Sequence, residues 1–316
     1  MKNVLVVYPL REAEKARLEA LSAECRYVYA VEPAAEQVRE ANIILGSLPP
    51  ALLKSAEHLE FLQLHYSGAD AYVKPGVLPE GAVLASATGA YGQSVSEHAF
   101  AMTWMLLKKL HLYRDDQTRV VWTEHGRVGT LRGATVLVVG LGDIGLQYAQ
   151  MAKAMGSYVI GVKRRPSALP EGVDELVLTE NLDSVLPRAD VVFCVLPGTN
   201  DTFHLFNDER FALMKPGAVF INCGRGNVVD GMALCRALEN GRLAAAGTDV
   251  TEVEPLPPEH PLWKQPNMLI TPHVAGNEHL PATHDRIAEI LLYNFDAFLN
   301  GKPLKSAIDF STGYKK

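Results

Sequence analysis

Several clusters of residues in this sequence have the types and spacing that chemistry requires. The run Gly140-Leu-Gly142-Asp143-Ile144-Gly145 closes the apolar stretch Ala134–Gly140 and leads into a helical segment, Leu146–Met155. Glycines at these three positions suit a strand-to-helix turn that holds a dinucleotide. Gly140 allows the tight bend, Gly142 lets the backbone approach a pyrophosphate, and Gly145 lets helix and strand pack closely. The helix N-terminus then offers unpaired N–H groups and a positive dipole end to the phosphates. Asp143 and Ile144 belong to the same turn.

The next apolar stretch, Tyr158–Val162, ends in Lys163-Arg164-Arg165. A site selective for NAD usually has Asp or Glu there, about 20 residues past the glycines, to accept hydrogen bonds from the ribose. Lys163 stands in its place, while Arg164 and Arg165 can form charge-assisted bonds to a 2′-phosphate. NADP(H) is therefore the expected cofactor. NAD(H) is the alternative if these three residues form a solvated basic turn.

Three further segments carry ionisable side chains just past predicted strands, where open α/β sheets bind ligands. They are Asn222-Cys223-Gly-Arg225-Gly, Asp249-Val-Thr-Glu-Val-Glu254-Pro and Thr271-Pro-His273. A planar guanidinium such as Arg225 can grip a carboxylate and an adjacent carbonyl oxygen together. A protonated imidazole can neutralise an oxygen that gains negative charge, and a nearby glutamate favours the charged ring. Taken singly, Glu254 reads equally as a surface carboxylate, and His65, His98 and His204 rival His273.

In this order the segments resemble the D-2-hydroxyacid dehydrogenase family. The similarity covers most of the chain and is densest from Val95 to Gly276; Leu196-Pro197-Gly-Thr199-Asn-Asp-Thr202 and Met214–Gly217 add to it. The resemblance implies hydride transfer between a nicotinamide cofactor and C2 of a small anionic 2-oxo or 2-hydroxy acid (D-isomer). Glyoxylate, hydroxypyruvate or another 2-keto acid would serve. It implies Arg225 as the substrate-binding arginine, Glu254 as the carboxylate partner and His273 as the general acid/base. Leu196, Pro197, Thr202 and Cys223 join the cofactor-binding residues, as does Asp249, which orients the nicotinamide or the loop.

The segment His65-Tyr66-Ser67-Gly68-Ala-Asp70 is similar to the family loop whose backbone N–H groups hold the substrate carboxylate. Ser67 and Gly68 are the matching positions, and Tyr66, a departure, narrows the pocket. No metal site is expected. Two other readings use the same residues: oxidation of another small anion such as phosphite, and a cofactor-sensing binding protein without activity. Formate is disfavoured, because formate enzymes carry glutamine where this chain has Glu254.

These side chains need a scaffold. A chain of 316 residues, 48% hydrophobic, can build two cores. Short apolar runs alternate with helical segments, which implies βαβ units. The expected class is α/β, with two doubly wound parallel-sheet domains: a Rossmann cofactor domain and a flavodoxin-like substrate domain. The expected boundaries are 95–282 for the cofactor domain, with 1–94 and 283–316 forming a discontinuous substrate domain. One long helix is expected over Val95–Asp115, and another over Ala282–Asn300 packs back on the first domain. Thr88–His98 resembles the family's inter-domain joint.

The net charge of −6 is spread along the chain, so no nucleic-acid partner is expected. The four cysteines lack a CxxC spacing, and no apolar stretch nears the roughly 20 residues that span a bilayer. No signal peptide is read, so the expected location is cytoplasmic, with no membrane partner. The family resemblance implies a homodimer. Phe100–Leu107 offers either an interface or core, and Trp122 lies near a position where some relatives reach into the partner's pocket.

Overall fold

The computed structural model describes residues 1–278 and 280–311 and the backbone of 314–315. The chain divides into two compact units, Met1–Tyr91 with Glu278–Lys316, and Gly92–Asn277.

In the first unit, the chain runs through β1 (Lys2–Val6), α1 (Glu12–Ala20), β2 (Cys25–Tyr29), α2 (Ala35–Glu40), β3 (Ile43–Leu45), α3 (Pro50–Leu53), β4 (Phe61–Gln63) and β5 (Val83–Ala85). The strands form one parallel sheet in the order β2-β1-β3-β4-β5, the flavodoxin-like arrangement. β3 and β4 are fully buried, which is why β3 is all apolar and β4 is apolar up to Gln63, whose amide is paired inside the core. β2, at the sheet edge, is only half-buried and carries Arg26, so no such run marks it. The C-terminal helix Pro281–Leu299 belongs to this unit. Phe298 stacks on Phe61 at 4.7 Å, and the buried Asn294 amide donates to Gln63 Oε1 at 2.6 Å.

The second unit contains α4 (Gly92–Leu107), α5 (Leu110–Arg119), β6 (Thr135–Val139), α6 (Asp143–Ala154), β7 (Tyr158–Lys163), β8 (Glu175–Leu178), α7 (Leu182–Val185), β9 (Val191–Cys194), α8 (Asp208–Leu213), β10 (Ala218–Asn222), α9 (Gly231–Glu239), β11 (Leu243–Thr248) and β12 (Met268–Ile270). Its seven parallel strands follow the order β12-β11-β10-β9-β6-β7-β8. From β8 to β11 this is the Rossmann order, with β12 added at the edge. The order reverses between β6 and β9, so the crevice beyond their carboxyl ends is the ligand position of this topology.

The helix expected over Val95–Asp115 is two helices. Lys109 adopts a left-handed backbone (φ 56°), which ends α4 and redirects the chain into α5. Lys108 Nζ donates to the Gly129 carbonyl at 2.7 Å, and Lys109 Nζ donates to that of His125, so both lysines are used on the following connection. Met102 and Leu106 of α4 are buried in this unit. The space a Cβ would need at Gly247 is already taken by them, at 3.2 and 3.3 Å. Within the Phe100–Leu107 segment, Met102, Thr103 and Leu106 are thus core. The exposed apolar residues come later, at Val120, Val121 and Trp122. No helix among the described residues is long and apolar enough to cross a membrane, and no His/Cys/Asp/Glu group among them could hold a metal. All four cysteines are free, and three are buried.

Candidate active site

The glycine turn beyond β6 owes its sequence to contacts that a side chain would destroy. Gly140 has φ 109°, and a Cβ there would lie 2.7 Å from the Val195 carbonyl oxygen. At Gly145 a Cβ would fall 2.0 Å from the Gly140 carbonyl oxygen, so α6 can pack on β6 only with glycine here. A Cβ at Gly142 would meet nothing within 4 Å. That open space lies at the N-terminus of α6, where a phosphate would approach the backbone. Ile144 and Asp143 start α6, and Asp143 Oδ1 accepts from Gln147 Nε2 at 2.9 Å.

Lys163 ends β7, beside β6 in the sheet, and its Nζ donates to Ser167 Oγ at 3.0 Å. Arg164 and Arg165 follow on the exposed surface. Across the switch point, Leu196 and Pro197 follow β9. Thr202 closes their loop by donating to the Pro197 carbonyl at 2.6 Å and accepting from Thr199 N at 2.8 Å.

Arg225 stands between two crowded glycines. A Cβ at Gly224 would lie 2.3 Å from the Leu196 carbonyl oxygen, and one at Gly226 would lie 1.9 Å from that of Thr251. Asn222 stitches the same turn, accepting from Gly224 N at 3.1 Å and donating to the Arg225 carbonyl at 3.2 Å. The arginine's backbone is therefore clamped between the loop after β9 and the loop after β11.

The loop after β11 carries Glu254. Its Oε1 accepts from Thr251 N at 3.0 Å, and its Oε2 is 2.8 Å from His273 Nδ1. A carboxylate can only accept, so Nδ1 carries a proton and Nε2 is the ring atom left for substrate. His273 itself sits at φ 52°, an uncommon conformation for a residue other than glycine. Its N–H donates to the Asp249 carbonyl at 2.8 Å, which helps hold that geometry. Contacts thus run unbroken from the Arg225 turn through Thr251 and Glu254 to His273.

Asp249 supports this loop from below. It is 3% exposed, and its carboxylate accepts from Thr271 Oγ1 (2.6 Å), Val274 N (2.9 Å) and Ala275 N (3.0 Å). These three bonds tie the Asp249 carboxylate to the segment that carries His273. Because Thr271 gives its only hydroxyl proton to Asp249, His98 Nε2, 3.0 Å from Thr271 Oγ1, must be the donor in that contact. His98 is thus a brace beneath the loop. His204 pairs instead with Glu252, Nε2 to Oε1 at 2.9 Å. Cys223 is buried, and burial pushes its thiol well above the usual range. Asn222 and Thr271 stand in the motif segments with no expected role of their own, and their polarity beside a backbone turn is the signal that marks them.

Tyr66, Ser67 and Gly68 follow β4 in the first unit. Tyr66 is half-exposed, and its ring lies 3.9 Å from that of His65. Tyr91 donates to the His65 carbonyl at 2.6 Å, which ties down the start of the loop.

The sequence profile described as D-isomer specific 2-hydroxyacid dehydrogenase, NAD binding domain, matches residues 100–275. The chain is similar to a glyoxylate reductase of Thermofilum pendens, with 31% identity over 82% of this chain and 78% of that protein. Among solved structures it resembles a D-isomer specific 2-hydroxyacid dehydrogenase family protein of Aeromonas salmonicida, with 34% identity, 98% and 99% coverage, and a TM-score of 0.84. It also resembles a D-isomer specific 2-hydroxyacid dehydrogenase of Xanthobacter autotrophicus in complex with NADPH and MES, with 28% identity, 99% coverage of both chains, and a TM-score of 0.82.

Proposed function

This chain belongs to the D-isomer specific 2-hydroxyacid dehydrogenase family, and from that premise we propose that it is an NADP(H)-dependent reductase of small 2-oxo acids, of the glyoxylate or hydroxypyruvate kind. The observation that carries the reading is the His273–Glu254 pair at 2.8 Å, on the loop that abuts the Arg225 turn. Arg225 grips the substrate carboxylate and the carbonyl oxygen at C2. The Ser67–Gly68 backbone adds N–H donors to the carboxylate. The dinucleotide supplies the hydride. His273 Nε2 gives its proton to the carbonyl oxygen as negative charge develops there, and Glu254 stabilises the imidazolium that must be ready beforehand.

The open space at Gly142 suits the pyrophosphate, and Lys163, Arg164 and Arg165 suit a 2′-phosphate. The NADPH held by the Xanthobacter protein supports the same choice. NAD(H) remains the second cofactor. We further assign a cytoplasmic homodimer, with the exposed Val120–Trp122 segment facing the partner.

Steady-state rates with NADPH and NADH over a panel of 2-oxo acids test the proposal. Turnover of glyoxylate or hydroxypyruvate with kcat/KM roughly 10-fold or more higher for NADPH is expected, since each charge-assisted bond to the phosphate contributes about 1.5–3 kcal/mol. Absence of turnover with both cofactors across the panel refutes the enzyme reading, and equal use of the two refutes the phosphate assignment.

A further inference from the structure

Beyond the carboxyl ends of β1 and β4, side chains distant in sequence meet in the first unit. Tyr8 is buried, and its hydroxyl donates to Glu278 Oε2 at 2.9 Å. Burial first, and then this bond to Glu278, keep the Tyr8 hydroxyl protonated, so the donor is not lost. The same oxygen lies 3.0 Å from His284 Nδ1, whose Nε2 is 3.1 Å from the buried carboxylate of Glu14. Tyr8 is therefore anchored from behind and holds one oxygen of Glu278 in place.

His65 faces the other oxygen. Its Nδ1 accepts from Ser47 N at 2.9 Å, so the neutral ring carries its proton on Nε2. Burial lowers the His65 pKa to about 4, and the ring is neutral at working pH. Nε2 stands 4.0 Å from Glu278 Oε1. That separation is too long for a hydrogen bond, and it leaves room for a bridging oxygen that bonds both. A fixed donor and a fixed acceptor thus flank one gap, next to the Tyr66–Gly68 loop.

We propose that His65 and Glu278 are specificity-determining residues that recognise a hydroxyl group on the side chain of the 2-oxo acid. The proposal rests on the reading above, in which Ser67 and Gly68 hold the substrate carboxylate. A hydroxyl satisfies both partners at once, accepting from Nε2–H and donating to Oε1. An ammonium would satisfy Glu278 but confront the His65 N–H. A second carboxylate would meet Glu278 with like charge. A methyl group would leave both polar atoms unpaired, and sites built to bond a hydroxyl discriminate against the analogue lacking it.

Hydroxypyruvate and pyruvate differ only by that hydroxyl, so their kcat/KM ratio reads the proposal directly, with glyoxylate as the reference that has no side chain. The native protein should favour hydroxypyruvate by roughly 10- to 100-fold, less than a fully enclosed site achieves because the gap is part-exposed. Glu278→Leu should bring the ratio close to one, chiefly by raising KM for hydroxypyruvate. Tyr8→Phe, which frees Glu278 from its anchor, should lower the ratio by a smaller factor. A native ratio near one overturns the proposal whatever the variants do. So does a Glu278→Leu protein that loses activity on all three acids equally, since that marks a structural role. If no 2-oxo acid is turned over at all, the functional reading itself fails and takes this one with it; turnover with an unmoved ratio removes only the hydroxyl assignment.

Discussion

At the carboxyl edge of the larger sheet, backbone packing holds the chemistry in position. Gly140, Gly145, Gly224 and Gly226 all sit where a single carbon would collide with a neighbouring carbonyl. His273 is held at positive φ by backbone and Asp249 contacts. At the edge of the smaller sheet the same kind of position is held by single hydrogen bonds of side chains: Tyr8 joins Glu278 and His284, and the Ser47 N–H holds the His65 ring. The difference separates two tasks. Proton delivery and carboxylate binding need geometry within a fraction of an ångström, which close packing enforces. Choosing among substrates needs a few polar groups that can be exchanged while the fold stays intact.

Three variants can break or sharpen this contrast. The largest effect is expected from His273→Asn. Asparagine tolerates positive φ but cannot act as the acid, so kcat should fall roughly 10²- to 10⁴-fold with the melting temperature little changed. A kcat close to native would remove His273 from the mechanism. Next comes Gly226→Ala, which moves no ionisable group. Its Cβ would lie 1.9 Å from the Thr251 oxygen, so the Arg225 turn or the Glu254 loop must shift. A displacement of about 1 Å costs on the order of 10²-fold in kcat/KM. Native kinetics in this variant would show that backbone packing does not set the arginine. The smallest effect belongs to Arg164→Ser with Arg165→Ser, where KM for NADPH should rise roughly 10-fold or more while KM for NADH holds. Equal changes for both cofactors would assign the arginines to general electrostatics.

Much of the second unit was legible because its signals are local. The strand-turn-helix glycine pattern, the arginine between glycines and the order of the three acid, base and guanidinium segments all lie in short windows. β3 declared itself as an unbroken apolar run, and β4 and β10 as apolar runs that each end in one amide residue, Gln63 and Asn222. The misses have physical reasons as well. β2 is a half-exposed edge strand whose composition resembles a loop. The break at Lys109 has neither glycine nor proline to announce it, and apolar spacing continues across it. The Tyr8–His65–Glu278 group was illegible because its members come together only when the last helix returns to the first sheet. His98 was visible as a histidine near the site, yet its role as a brace depends on Thr271, 173 positions away.

The glycines on either side of Arg225 bear on how this protein can be altered. With no room for a carbon at either neighbour, the guanidinium has no gradual route to a new position, and a library randomised there would return mostly inactive clones. On the assignments proposed above, redesign toward other acids would do better on Tyr66, His65 and Glu278, where an exchange would alter recognition while the His273 loop keeps its shape.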